Sequence, residues 1–144
     1  MPFTKTNKDK NNNTYNIISQ GTNIEGKIYS PRSIQIEGTV AGEIISKKEL
    51  VIGKEGKVRA NIKTKNTIIE GSFTGNIISS GEVKITSTGK LVGNIIQRDN
   101  LITINDGGLF NGKNIIIDNK ETFRIIANEK ISSIKIRPKK ILDY

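Results

Sequence analysis

One short pattern recurs along most of this chain and constrains its fold more than any single residue. Two apolar residues stand one apart. A corner containing Gly follows, then an apolar residue, a Gly or Ala two positions later, and an Ile two after that. Ile34-Gln35-Ile36-Glu37-Gly38-Thr39-Val40-Ala41-Gly42-Glu43-Ile44 is one copy. The next runs from Leu50 and Ile52 through Gly56 and Val58 to Ala60 and Ile62. Ile69, Gly71, Phe73, Gly75 and Ile77 carry the third, and Val83, Ile85, Gly89, Leu91, Gly93 and Ile95 the fourth. A fifth reads Ile102-Thr103-Ile104, then Gly108, Phe110 and Gly112. Self-similarity at a fixed short period is the mark of a stacked architecture, in which each repeat buries its apolar face only against its neighbours.

Within a copy the apolar positions alternate, and period two means a strand with one buried face. No stripe at helical spacing is present. The equivalent Ile residues, Ile28, Ile44, Ile62, Ile77 and Ile95, are spaced by 16, 18, 15 and 18 residues. A coil of about 17 residues closes one circuit of three short strands and three turns. Such coils stack in parallel at about 4.8 Å per layer, so six of them predict a core of roughly 30 Å. Two copies have a short first corner (Ile36 to Val40, Ile69 to Phe73) and three a long one (Ile52 to Val58, Ile85 to Leu91, Ile104 to Phe110). The extra pair reads as a bulge or tight turn in which Gly56, Gly89 and Gly108 supply a positive φ. Asn61, Asn76 and Asn94 each precede an Ile, which predicts a ladder of side-chain amides between coils.

Composition suits this shape. Only 34% of the 144 residues are hydrophobic and 5% aromatic, but Ile is abundant and there are 14 Gly. A thin core needs slim β-branched residues, and close-packed corners need Gly. The coils begin near Asn16, where Ile18, Ile24, Gly26 and Ile28 match Ile52, Val58, Ala60 and Ile62. They run through Ile115–Ile117, with Phe123-Arg124-Ile125-Ile126 as a further stretch. This divides the chain into a polar, disordered tail over 1–15, a coil domain over 16–127, and a basic, loosely attached tail over 128–144.

The chemistry available to an enzyme is thin. There is no His, the commonest general base and metal ligand, and no Cys. Acyltransferases and zinc carbonic anhydrases built as stacked coils rely on His, and their six-residue period is missing here. Glu25, Glu37 and Glu70 each precede a Gly. They read either as paired acid and base carboxylates or as one outward corner position repeated. Gly21 to Lys27 and Gly107 to Lys113 imitate a phosphate loop. Ile28 and Asn114 stand where Ser or Thr would hold magnesium, and no helix follows, so no nucleotide is expected. The reading is of a protein that is not an enzyme and uses no cofactor and no metal.

Net charge is +9. It fits attraction to anionic lipid or nucleic acid. It fits equally a surface kept soluble by Lys at outward positions such as Lys47, Lys48, Lys63, Lys65 and Lys84. No apolar run approaches the roughly 18 residues that span a bilayer, and the opening residues lack the apolar stretch of a secretory signal. The expectation is a cytoplasmic protein.

The repeat, with its alternating short and long corners and polar flanks, resembles the bactofilins over about residues 16–117. That resemblance implies an all-β fold, a right-handed parallel three-sided β-helix with flexible polar tails. It also implies end-to-end assembly into cytoskeletal filaments without nucleotide, and a role as a scaffold in cell shape and in cell-envelope or peptidoglycan remodelling. The implied partners are other copies of the chain, the cytoplasmic face of the inner membrane, and cell-wall enzymes or their membrane anchors. A family Phe within Gly-x-Phe-x-Gly corresponds to Phe110, which with Phe123 is expected at the C-terminal contact. Ile18 and Ile24 are expected at the other end, because a stack leaves an unpaired edge at each terminus. An early Phe followed by Lys is a membrane motif in some members. Phe3, Lys5, Lys8 and Lys10 take that place, with Pro2 a departure from it. The competing reading is a basic solenoid that binds nucleic acid or an anionic polysaccharide. The scarcity of aromatics free to stack on bases argues against nucleic acid.

Overall fold

In the computed structural model, the residues described are 15–117, 119 and 140–143. They are all strand, turn and corner. The first coil is β1 (Tyr15–Ile18) and β2 (Asn23–Ser30), and the second β3 (Ser33–Ile36) and β4 (Thr39–Ser46). β5 (Glu49–Ile52) with β6 (Lys57–Thr64) and β7 (Asn66–Ile69) with β8 (Ser72–Ser79) follow. β9 (Val83–Ile85) with β10 (Lys90–Gln97) and β11 (Ile102–Ile104) with β12 (Leu109–Ile116) complete six coils. The short strands pair in the order β1-β3-β5-β7-β9-β11 and the long ones in the order β12-β10-β8-β6-β4-β2. Every pairing inside these two ladders is parallel. The result is a β-solenoid.

Where three short strands are expected per coil, the second and third are one continuous strand of eight residues. A left-handed φ at its fourth residue bends it and makes two sides from one strand. Gly26, Gly42, Gly75, Gly93 and Gly112 hold φ between 129° and 156° there and stand in one row with Ala60. At Gly42, Gly75, Gly93 and Gly112 the row leaves no room for a side chain. A Cβ on Gly93 would run into the carbonyl oxygen of Gly75, and one on Gly42 into that of Gly26.

The expectation for the long corners needs correction. Gly56, Gly89 and Gly108 do not carry a positive φ. Each closes a turn by donating its N–H to the carbonyl three residues back, on Gly53, Thr86 and Asn105. Glycine is needed because the coil beneath passes close. A Cβ on Gly89 would strike the carbonyl oxygen of Ile69, and one on Gly56 would lie 2.5 Å from that of Ile36.

The core is a set of straight rows. Ile28, Ile44, Ile62, Ile77 and Ile95 are register partners in sequence, as the repeat predicts. Beside them run Ile24, Val40, Val58, Phe73, Leu91 and Phe110, and Ile18, Ile36, Ile52, Ile69, Ile85 and Ile104. In the middle coils these side chains are fully buried. The amide ladder forms: Asn76 Nδ2 donates to Asn61 Oδ1 at 3.2 Å, and Asn94 Nδ2 to Asn76 Oδ1 at 3.1 Å. A second polar row, Ser46, Thr64, Ser79 and Gln97, is buried and donates to carbonyls of Arg32, Lys48, Lys65 and Gly81. It pins the corner between each long strand and the next coil.

One further reading changes. Glu25 is not equivalent to Glu37 and Glu70. It lies within β2 opposite Ala41, while the other two occupy the corner after a short strand, two coils apart with Gly53 between them. Within the basic tail, Lys140–Asp143 form β13, antiparallel on β12, with Lys113 to Ile116 as its register partners.

Candidate assembly interface

A parallel stack satisfies the backbone of every inner strand on both edges and leaves the outer strands with one edge unserved. Here β1 and β2 form that boundary at the first coil, and β11 with β12 at the last. The two boundaries lie about 24 Å apart, five layer steps along the axis.

At the first coil the apolar rows run out into solvent. Ile18, Ile24 and Ile28 pack on the core but are half-buried, whereas their partners Ile36, Val40 and Ile44 are completely buried. An open cavity of about 440 Å³ lies beside Ile18, Ile24, Ile28 and Ile34. Gly26 makes the same point from the backbone. It keeps the bent φ of its row, at 135°, yet a Cβ added there would meet nothing within 4 Å. Asn16 stands at the foot of the row of Ile34 and Leu50, and its Nδ2 donates to Ser30 Oγ at 2.7 Å.

At the last coil Ile102 and Phe110 are half-buried against the core, and Ile104 is 37% exposed where Ile85 is fully covered. Phe110 continues the row of Phe73 and Leu91. Lys113–Ile116 carry β13 on their outer side.

The large apolar side chains that the sequence reading misses sharpen this picture. Among the described residues, Ile17 (62% exposed) and Tyr29 belong to the first coil. Leu101, Ile104 and Leu109 (56% exposed) belong to the last, and only Val92 lies between. In the inner coils, Gln35 and Val51 follow Ile17 in its row and are less exposed. The missed signal is an apolar residue at an outward position of a terminal repeat.

Among the described residues no group of three or more His, Cys, Asp or Glu is placed to hold a metal ion. Gly21–Lys27 and Gly107–Lys113 are each a turn running into a strand, without a helix N-terminus to face phosphate. Among the described residues no helix is long and apolar enough to cross a membrane.

A solenoid that exposes apolar side chains in its first and last coils is suited to self-assembly, and the family comparison agrees. The model of a polymer-forming cytoskeletal family matches residues 16–114, more than half of the chain. The chain belongs to the bactofilins. No curated protein and no solved structure matches it. Of the contact residues expected for this bactofilin, Ile18 and Ile24 lie together at the first coil and Phe110 at the last. Phe123, Phe3, Lys5, Lys8 and Lys10 lie outside the described residues.

Proposed function

We propose that this bactofilin polymerises end to end, without nucleotide, into filaments that scaffold cell shape and envelope remodelling. The observation that carries the reading is the concentration, among the described residues, of exposed large apolar side chains in the first and last coils. Joining two ends covers Ile18, Ile24 and Phe110 and completes the backbone ladder. Each fully buried Ile or Phe contributes about 1.5–3 kcal/mol of apolar transfer. In this reading Phe123 joins Phe110 at its end. Phe3, Lys5, Lys8 and Lys10 touch anionic lipid at the cytoplasmic face of the inner membrane. There about 1 kcal/mol per basic residue is weak for one chain and firm for many copies on a filament. The family is a cytoskeletal one, and the protein acts as a scaffold, not a catalyst, with cell-wall enzymes or their membrane anchors as clients.

Electron microscopy of purified protein in nucleotide-free buffer tests the assembly. Filaments are expected from the wild type, and short or monomeric species from Phe110→Arg at unchanged circular dichroism. Wild-type protein that stays monomeric by light scattering at high concentration would overturn the reading.

A further inference from the structure

The two ends are finished differently. Among the described residues no strand pairs with the outer edge of β2. On β12, Lys113–Ile116 carry β13 on their outer side. The backbone donors and acceptors on one edge of a strand serve one neighbour at a time. Any strand that a second copy brings to the second half of β12 therefore needs the groups that β13 already uses.

Two features make β13 easy to displace. Its pairing covers four residues, against the full eight between β10 and β12. It is antiparallel in a stack whose other pairings are parallel, so it does not continue the repeat. The row beneath it is flawed as well. The core row that runs through Ile62, Ile77 and Ile95 ends in Asn114, which is completely buried. Its Nδ2 donates to Asn100 Oδ1 at 2.7 Å, but its Oδ1 accepts no hydrogen bond, and its register partner in β13 is Leu142. A buried acceptor without a donor penalises the capped state.

We propose that β13 is a removable cap that competes with a second copy of the chain for the outer edge of β12. The last-coil end joins a second copy only when β13 leaves. This rests on the end-to-end assembly proposed above and adds a regulated end to it. A cap closed about nine-tenths of the time weakens joining about tenfold, since only the open fraction is competent.

The test locks and removes the cap in the full-length protein. Ile115 and Ile141 are register partners, and directly opposed antiparallel residues lie within the span of a disulfide. The chain has no Cys of its own, so Ile115→Cys with Ile141→Cys gives one bond that reductant opens. The readout is the lowest concentration at which protein pellets at high speed. Oxidised protein should need more than about tenfold the concentration of the same protein reduced. A chain ending at residue 139 should pellet at a threshold about tenfold below wild type. The reduced form controls for misfolding of the cysteine variant. If wild type assembles and neither locking nor truncation moves the threshold, the cap is wrong and the assembly reading stands. If wild type, reduced and truncated proteins all remain monomeric, the assembly reading fails and the cap with it.

Discussion

The first and last coils are built by the same repeat and finished differently. At the first, Ile18, Ile24 and Ile28 stand half-buried over an open mouth, and Gly26 holds a bent backbone with nothing beneath it. At the last, the corresponding rows end in Ile104, Phe110 and Asn114, and a strand of opposite direction covers half of the edge. Each end also breaks one apolar row with an Asn: Asn16 in the row of Ile34, and Asn114 in the row of Ile95. A joint between copies is therefore not one more layer of an endless stack. The middle of the rod is specified by repetition. The ends are specified residue by residue.

The sharpest way to break that contrast is to load the glycine row. Gly93→Val drives a side chain into the carbonyl of Gly75 and should prevent folding, a loss beyond about 4–5 kcal/mol. Gly26→Val meets no neighbour. It bears only the backbone cost of a side chain at φ 135°, about 1–3 kcal/mol, so it should fold and yet fail to assemble. Circular dichroism melts with sedimentation velocity compare the two. If both unfold alike, the first coil is already as tightly stacked as the fifth.

The Phe row gives the next largest effect. Phe73→Ala empties a fully buried site and should cost about 3–5 kcal/mol in urea melts of the monomer. Phe110 is half-buried in the same row, so Phe110→Ala should cost less than half as much. Its larger effect should be a higher assembly threshold. A monomer equally weakened by both substitutions would show that the last coil completes its core without a second copy.

Much of this was legible in the sequence because rows are a one-dimensional property. Counting from Ile to Ile along the chain recovers the register of Ile28, Ile44, Ile62, Ile77 and Ile95, and the Asn ladder follows from the same count. The glycines of the long corners show where such counting stops. A Gly demanded by a positive φ and a Gly demanded by a carbonyl passing close below look identical in sequence. Gly56 and Gly89 turned out to be the second kind. Glu25 shows the same limit, since Glu before Gly occurs both in a corner and inside a bent strand. The ends were visible as the places where the rows run out, which is why Ile18 and Ile24 were named there, while Phe110 came from the resemblance to the family. β13 was not visible. Lys140–Asp143 are four residues without the repeat, and their place on β12 is set by contacts distant in sequence, not by local pattern.

The smallest effect concerns charge. The row that holds Asn61, Asn76 and Asn94 is basic at both extremes, reading Lys27, Glu43, then the three Asn, then Lys113. Glu43 reaches Lys27 at 4.0 Å, but Lys27 remains 63% exposed, so the pair adds little. A second copy that carries the same net charge of +9 meets Lys27 first at the open edge of β2. Like charges directly opposed across strands cost about 0.2–1 kcal/mol. Lys27→Asn should then remove that repulsion and lower the assembly threshold by up to about fivefold. It should also flatten the dependence of that threshold on salt, because a larger ionic strength screens the same repulsion. Lys113 sits on the half of β12 that β13 covers, with Asp143 as its register partner. Lys113→Asn should leave the threshold where it is. Pelleting assays between about 0.01 and 0.15 M salt, where the screening length falls from roughly 30 Å to 8 Å, separate the two variants. Equal responses would mean that both ends meet a second copy bare, and that the inequality between the first and last coils ends once the filament begins to grow.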